Sequence, residues 1–251
     1  MQTPRGREKN MKQLVGFHAV TSRLRQKPDT VRAIYIGAER NDARAKDLRE
    51  LAKRVNVRVL TVDAKRLEGM AGGVAHQGVV AEAEPVDMPQ FIEDVLEGID
   101  GPPLLLILDG VQDPHNLGAC LRVADAAGAH AVIAPKDRSV GLTTAAIKVA
   151  SGAAESVPYI VVTNLARAMR DLKDKGVWLI GADDSATESI FTAKLDGPIG
   201  LVLGAEGEGL RRLTKESCDL LVSIPMLGAV ESLNVSVAAG ICLYEARRRR
   251  L

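Results

Sequence analysis

Residues 103–122 read PLLLILDGVQDPHNLGACLR. The first seven form an unbroken apolar run closed by Asp109. A strand with one wet face alternates apolar and polar residues, whereas a parallel strand covered on both faces does not. The run therefore predicts a strand inside a parallel sheet. Beyond it, Asp113-Pro114 marks a turn, and Asn116 can cap a helix predicted over 118–127. The alternation continues to the C-terminus. Strands are predicted at 131–134, 159–162, 177–181, 199–203 and 220–224, and helices at 143–150, 165–175, 209–217 and 232–247. Such regularity implies an α/β domain with a doubly wound parallel sheet over 103–251.

Upstream the character changes. Pro85, Pro89, Pro102 and Pro103 surround a short helical patch, so 85–102 is expected to be a linker. Residues 11–84 carry predicted helices at 16–25 and 43–55 and strands at 31–37, 57–62 and 79–83, a second, small α/β domain. Residues 1–10 are expected to be a disordered arm. Residues 1–84 hold 17 Lys/Arg against 10 Asp/Glu, a net of +7, and 85–251 hold 16 against 22, a net of −6. A basic first domain suits a polyanion partner, and decoration of solvated helices explains it equally well. The four arginines at 247–250 are expected to form a solvated tail. Cys120, Cys218 and Cys242 have no metal-ligand or CxxC spacing, and no apolar stretch is long enough for a membrane span. The expectation is a soluble, cytoplasmic protein with free thiols.

Two further segments hold candidate chemistry. Gly204 to Gly209 reads GAEGEG between a predicted strand and helix. Its spacing is neither GxGxxG nor a P-loop, so a Rossmann cofactor or nucleoside triphosphate is disfavoured. Glu206 and Glu208 would repel phosphates and suit a ligand with cationic groups and hydroxyl donors, such as S-adenosylmethionine. From this loop alone, a turn needing glycine for geometry explains the pattern better. Residues 224–236 read IPMLGAVESLNVS. Pro225 stops a strand, Ser232 is a plausible cap for the last helix, and Leu233, Val237, Ile241 and Tyr244 recur at helical spacing as its expected buried face. Asn234 and Ser236 fall in the first turn, where unpaired N–H groups can hold a ligand or the side chains simply cap.

Taken together, Asn116-Leu-Gly-Ala-Cys-Leu-Arg122, Leu203-Gly-Ala-Glu-Gly-Glu-Gly209, Ile224-Pro-Met226 and Ser232-Leu-Asn-Val-Ser236 resemble the SpoU branch of the SPOUT RNA ribose 2′-O-methyltransferases. Asp109-Gly110, 135–138 (PKDR) and 151–156 (SGAAES) match too, so the likeness runs over about 11–251. Glu231 departs from it, standing where a small hydroxyl residue is expected. The resemblance implies a parallel-sheet domain with a deep trefoil knot, which ordinary folds avoid. It also implies a small N-terminal ribosomal-protein-type (L30e-like) RNA-binding domain and a homodimer packed through the C-terminal domain. The cofactor would be S-adenosylmethionine, held mainly by main chain around Leu203, Gly204, Ile224, Met226, Ser232 and Leu233. The substrate would be a guanosine ribose in 23S ribosomal RNA, with transfer RNA or a catalytically silent RNA-binding role as alternatives. Arg122 would be the catalytic residue, held in register by Asn116, Glu206, Asn234 and Ser236. No metal is required, because the sulfonium leaves as a neutral thioether.

Overall fold

The computed structural model describes residues 11–205, 207 and 209–251. The arm expected at 1–10, and Glu206 and Glu208, lie outside them. The chain divides into two compact units after Asp87.

The first unit runs β1 (Lys12–Val15), α1 (Phe17–Gln26), β2 (Val31–Gly37), α2 (Ala43–Arg54), β3 (Val59–Val62), α3 (Ala64–Ala71) and β4 (Val79–Ala83). Its sheet has the order β1-β4-β2-β3, with β2 and β3 parallel and the other pairs antiparallel. β2 is buried on both faces. Ile34 and Ile36 pack with Val20, Leu24 and Leu48 of α1 and α2, while Ala33 and Tyr35 pack with Leu67 of α3. Asp42 and Asp63 cap α2 and α3 by accepting from the N–H groups of Ala45 and Arg66.

The second unit runs α4 (Ile92–Glu97), β5 (Leu104–Asp109), α5 (Pro114–Ala126), β6 (Ala131–Pro135), α6 (Thr144–Ala150), β7 (Tyr159–Val162), α7 (Leu165–Asp174), β8 (Trp178–Ala182), β9 (Ile199–Gly204), α8 (Arg212–Ser217), β10 (Leu220–Val222) and α9 (Val235–Arg248). Six strands form one sheet, order β10-β8-β9-β5-β6-β7, in which every pairing is parallel. β5 alternates between two cores, which is why it has no polar position before Asp109. Leu104, Leu106 and Leu108 pack toward α5, α6 and α9, and Leu105 and Ile107 toward α4 and α7.

Several local expectations are corrected. α5 starts four residues early, because Asp113 accepts from the His115 N–H and Pro114 takes the first helical position, leaving Asn116 inside the first turn. α9 is capped by Asn234, not Ser232. Its buried face is Val235, Ala239, Cys242, Leu243 and Ala246, whereas Val237 and Tyr244 are 50% and 52% exposed. The terminal arginines are not a solvated tail. Arg247 donates to the carbonyls of Ala127 and Gly128, Arg250 donates to those of Pro102 and Pro103, and Arg248 and Arg249 pair with Glu245.

Candidate active site

β5 and β9 pair in parallel as far as Asp109 and Gly204. From β5 the sheet builds to β6 and β7 on one side, and β9, β8 and β10 fill the other. This reversal of strand order is a switch point, where open α/β sheets hold ligands beyond the carboxyl ends of their strands. A cleft of about 570 Å³ opens there.

Three of the chain segments that wall the cleft hold the expected cofactor contacts. The first is the loop leaving β9, represented by Leu203, Gly204, Ala205, Gly207 and Gly209. It turns back on itself, the Gly209 N–H donating to the Ala205 carbonyl over 3.0 Å. A Cβ on Gly204 would lie 2.0 Å from the Gly209 carbonyl carbon, so the return requires glycine there. The second is Ile224 and Met226, just past β10. The third is Ser232, Leu233, Val235 and Ala238, at the start of α9. All six expected cofactor contacts, Leu203, Gly204, Ile224, Met226, Ser232 and Leu233, line this one cleft.

Its polar end was not anticipated from the sequence. Asp183, Asp184 and Ser185, just beyond β8, and Lys215 of α8 line it. Lys215 donates to Asp183 and Ser185, at 2.8 and 3.0 Å. Burial pushes the Asp183 carboxyl up, but hydrogen bonds from Lys215 and Ser185 outweigh it and leave the group below its usual value. The position just past a predicted strand end was the available signal.

The expected catalytic residues separate into two groups. Asn234 Nδ2 donates to Asn116 Oδ1 over 2.9 Å, and Asn234 Oδ1 accepts from the Ser236 N–H and hydroxyl at 2.9 and 2.7 Å. This network ties the first turns of α5 and α9. Arg122, two turns along α5, is exposed and does not line the cleft of its own chain among the described residues. Glu206 lies outside the described residues. Burial pushes the thiols of Cys120, Cys218 and Cys242 up to about 12, which disfavours the thiolate form. Among the described residues no group of three or more His, Cys, Asp or Glu could hold a metal ion, and no helix is long and apolar enough to cross a membrane.

Residues 103–244 match the SpoU rRNA Methylase family, and residues 13–89 match the RNA 2′-O ribose methyltransferase substrate-binding family. A Ralstonia nicotianae protein named 23S rRNA (guanosine-2′-O-)-methyltransferase RlmB is 62% identical over 239 residues, 95% of this chain and 96% of that one. A Bordetella pertussis protein of the same name is 59% identical over 237 residues, covering 94% and 97%. Among solved structures, the SpoU methyltransferase AviRb of Streptomyces viridochromogenes in complex with AdoMet is similar, with a TM-score of 0.69 and 25% identity over 98% of this chain and 94% of that one. With the parallel sheet and the cleft at its switch point, these matches establish that the chain belongs to the SpoU rRNA methylase family.

Proposed function

We propose that this chain transfers the methyl group of S-adenosylmethionine to the ribose 2′-oxygen of a guanosine in 23S ribosomal RNA. The observation that carries the reading is the convergence on one cleft of Gly204, at the end of β9, with Ile224 and Leu233, near the two ends of the β10–α9 connection, in a chain 62% identical to a protein named for that activity. The residues present fit this cofactor. Glycine at 204 leaves bare main chain for a nucleoside to approach, and Ile224, Met226 and Leu233 supply apolar contact. Asp183 is neutralised by Lys215, while the exposed Asp184 offers a carboxylate to a cationic ligand. When bound, S-adenosylmethionine supplies an activated methyl group on a sulfonium.

The chain's own residues must orient and activate a weakly acidic ribose hydroxyl. A guanidinium carries N–H donors and no acceptor, so Arg122 serves as a donor and not as a base. It orients the hydroxyl or an adjacent phosphate and stabilises the developing alkoxide. Asn116, Asn234, Ser236 and Glu206 keep this arrangement in register. Because Arg122 does not line its own cleft, it serves the cleft of a second copy. A homodimer through the C-terminal domain is supported by the exposed Val237 and Tyr244, one helical stripe on α9, the helix against which α5 packs. The insertion of β9 between β5 and β8 is compatible with a deep trefoil knot. The first unit, read as a ribosomal-protein-type fold, supplies RNA phosphate contacts. Arg49, Lys53, Asn56 and Arg58 line a cleft of about 450 Å³ on it. A cytoplasmic setting follows from this substrate.

The test is methyl transfer from labelled S-adenosylmethionine to 23S ribosomal RNA and to transfer RNA, with mapping of ribose methylation. A single 2′-O-methylguanosine in the 23S molecule is expected. Label in transfer RNA alone would overturn the substrate, and no label in either would favour a silent RNA-binding role.

A further inference from the structure

Asp109 closes β5 and is 1% exposed, deeper than any charged group tolerates without a partner. Its partner is Arg211. Arg211 Nε donates to Asp109 Oδ1 over 2.6 Å, a second guanidinium N–H reaches the same oxygen, and the Arg211 main-chain N–H donates to Oδ2 over 3.0 Å. Both carboxylate oxygens are therefore occupied by one residue.

The position of that residue is what matters. The cleft loop leaves the sheet at Gly204, which pairs with Asp109 in the β5–β9 ladder, and it ends at Arg211, which caps α8. One residue of β5 thus fixes both ends of the loop, the first by strand pairing and the second by its side chain. Between these points Ala205, Gly207, Gly209 and Leu210 line the cleft. Gly207 and Gly209 have φ of +81° and +65°, backbone that is soft unless its ends are fixed. Neither Asp109 nor Arg211 lines the cleft among the described residues.

We infer that the Asp109–Arg211 pair is a positioning device for the methyl donor, holding the glycine loop in its binding shape before the ligand arrives. The inference rests on the reading of this cleft as the S-adenosylmethionine site. A loop held in advance spares the ligand the cost of ordering it, so releasing one end weakens affinity without removing a contact.

The experiment uses the full-length chain with Arg211→Ala and Arg211→Lys. Lysine keeps a cation and the main-chain N–H opposite the buried carboxylate, so the fold survives even if alanine disrupts it, but one flexible ammonium replaces the two-point grip. The first readout is amide exchange at Ala205, Gly207, Gly209 and Leu210 without cofactor, with Leu121 in α5 as internal control. The second is calorimetric affinity for S-adenosylmethionine and S-adenosylhomocysteine. Loop exchange faster by tenfold or more, with Leu121 unchanged, is expected in both folded variants. Affinity should fall at least tenfold for alanine and by an intermediate factor for lysine, while RNA affinity holds. Wild-type loop exchange in folded variants would overturn the inference, and so would faster exchange with unaltered cofactor affinity. If the wild-type chain binds neither ligand, the cofactor reading itself fails, and with it the role of the pair as a positioning device for the methyl donor.

Discussion

The clefts of the two units are built from opposite materials. On the first unit, Arg49, Lys53 and Arg58 present long charged side chains around open space. At the sheet switch point of the second, glycines at 204, 207 and 209 and short or apolar residues such as Ala205, Ile224 and Leu233 form the wall, and the ends of the glycine turn are held by Asp109 and Arg211. Side chains on flexible stems suit a polyanion whose charges repeat and whose contacts are interchangeable. A glycine turn fixed at both ends suits one small ligand in one pose, because its shape is set before the ligand arrives. Substitutions should therefore act gradually on the first unit and nearly all-or-none on the second.

The largest effect is expected at Gly204. An added methyl group would sit 2.0 Å from the Gly209 carbonyl carbon, so the loop must move. Gly204→Ala should weaken S-adenosylmethionine binding by about a hundredfold or more, roughly 2.8 kcal/mol, measured by calorimetry on protein whose melting curve shows it folded. Near-normal affinity would erase the contrast with the first unit. On that unit, Arg49→Ala and Lys53→Ala should each weaken RNA binding modestly and lower the slope of log affinity against log salt by about one. A collapse of binding from either alone would mean that this face is as specific as the other.

Smaller effects concern the scaffold. Asn234→Ala removes the α9 cap and the link to Asn116, and should cost about 1 kcal/mol, seen as a lower melting temperature. The smallest is a pH effect. Hydrogen bonding from Arg248, joined by Arg249, holds the Glu245 carboxyl down at about 2 from its ordinary 4.5. A carboxyl that is more acidic in the folded state contributes stability above its ordinary value, and that contribution fades as pH falls from 4.5 toward about 2. Glu245→Gln should flatten the acid dependence of thermal unfolding across that window, lowering the melting temperature at neutral pH and leaving the acid end nearly unchanged.

Sequence pattern disclosed much of the second unit because its central strands β5, β6 and β9 are buried on both faces, and a run such as Leu104–Asp109 has no alternation to confuse with a helix. β1 was missed because it is four residues long with only Leu14 fully buried. α3 was missed because eight residues containing Gly69 give a weak periodic signal, although Asp63 stood ready as its cap. α9 is the instructive error. The stripe through Val237, Ile241 and Tyr244 and the stripe through Ala239, Cys242 and Ala246 are both apolar at helical spacing. Periodicity has no means of telling a core face from a face left for another molecule. The arginine run misled for a related reason, since its carbonyl partners at Ala127, Gly128, Pro102 and Pro103 are more than a hundred residues away. The glycines of the loop after β9 read by themselves as a tight turn, and only the likeness of several segments together points to a ligand there; its brace is not legible at all, because a carboxylate at a strand end and an arginine after a loop become a pair only once β5 and β9 lie side by side.

The most direct test is methyl transfer to 23S ribosomal RNA by co-expressed Arg122→Ala and Gly204→Ala chains. Each variant alone should be inactive, the first lacking the guanidinium and the second the methyl-donor cleft. If Arg122 of one copy serves the cleft of the other, mixed dimers contain one site with both parts intact, and a substantial fraction of activity returns. A mixture as inactive as either variant alone, with mixed dimers verified by mass, would contradict a site shared between copies.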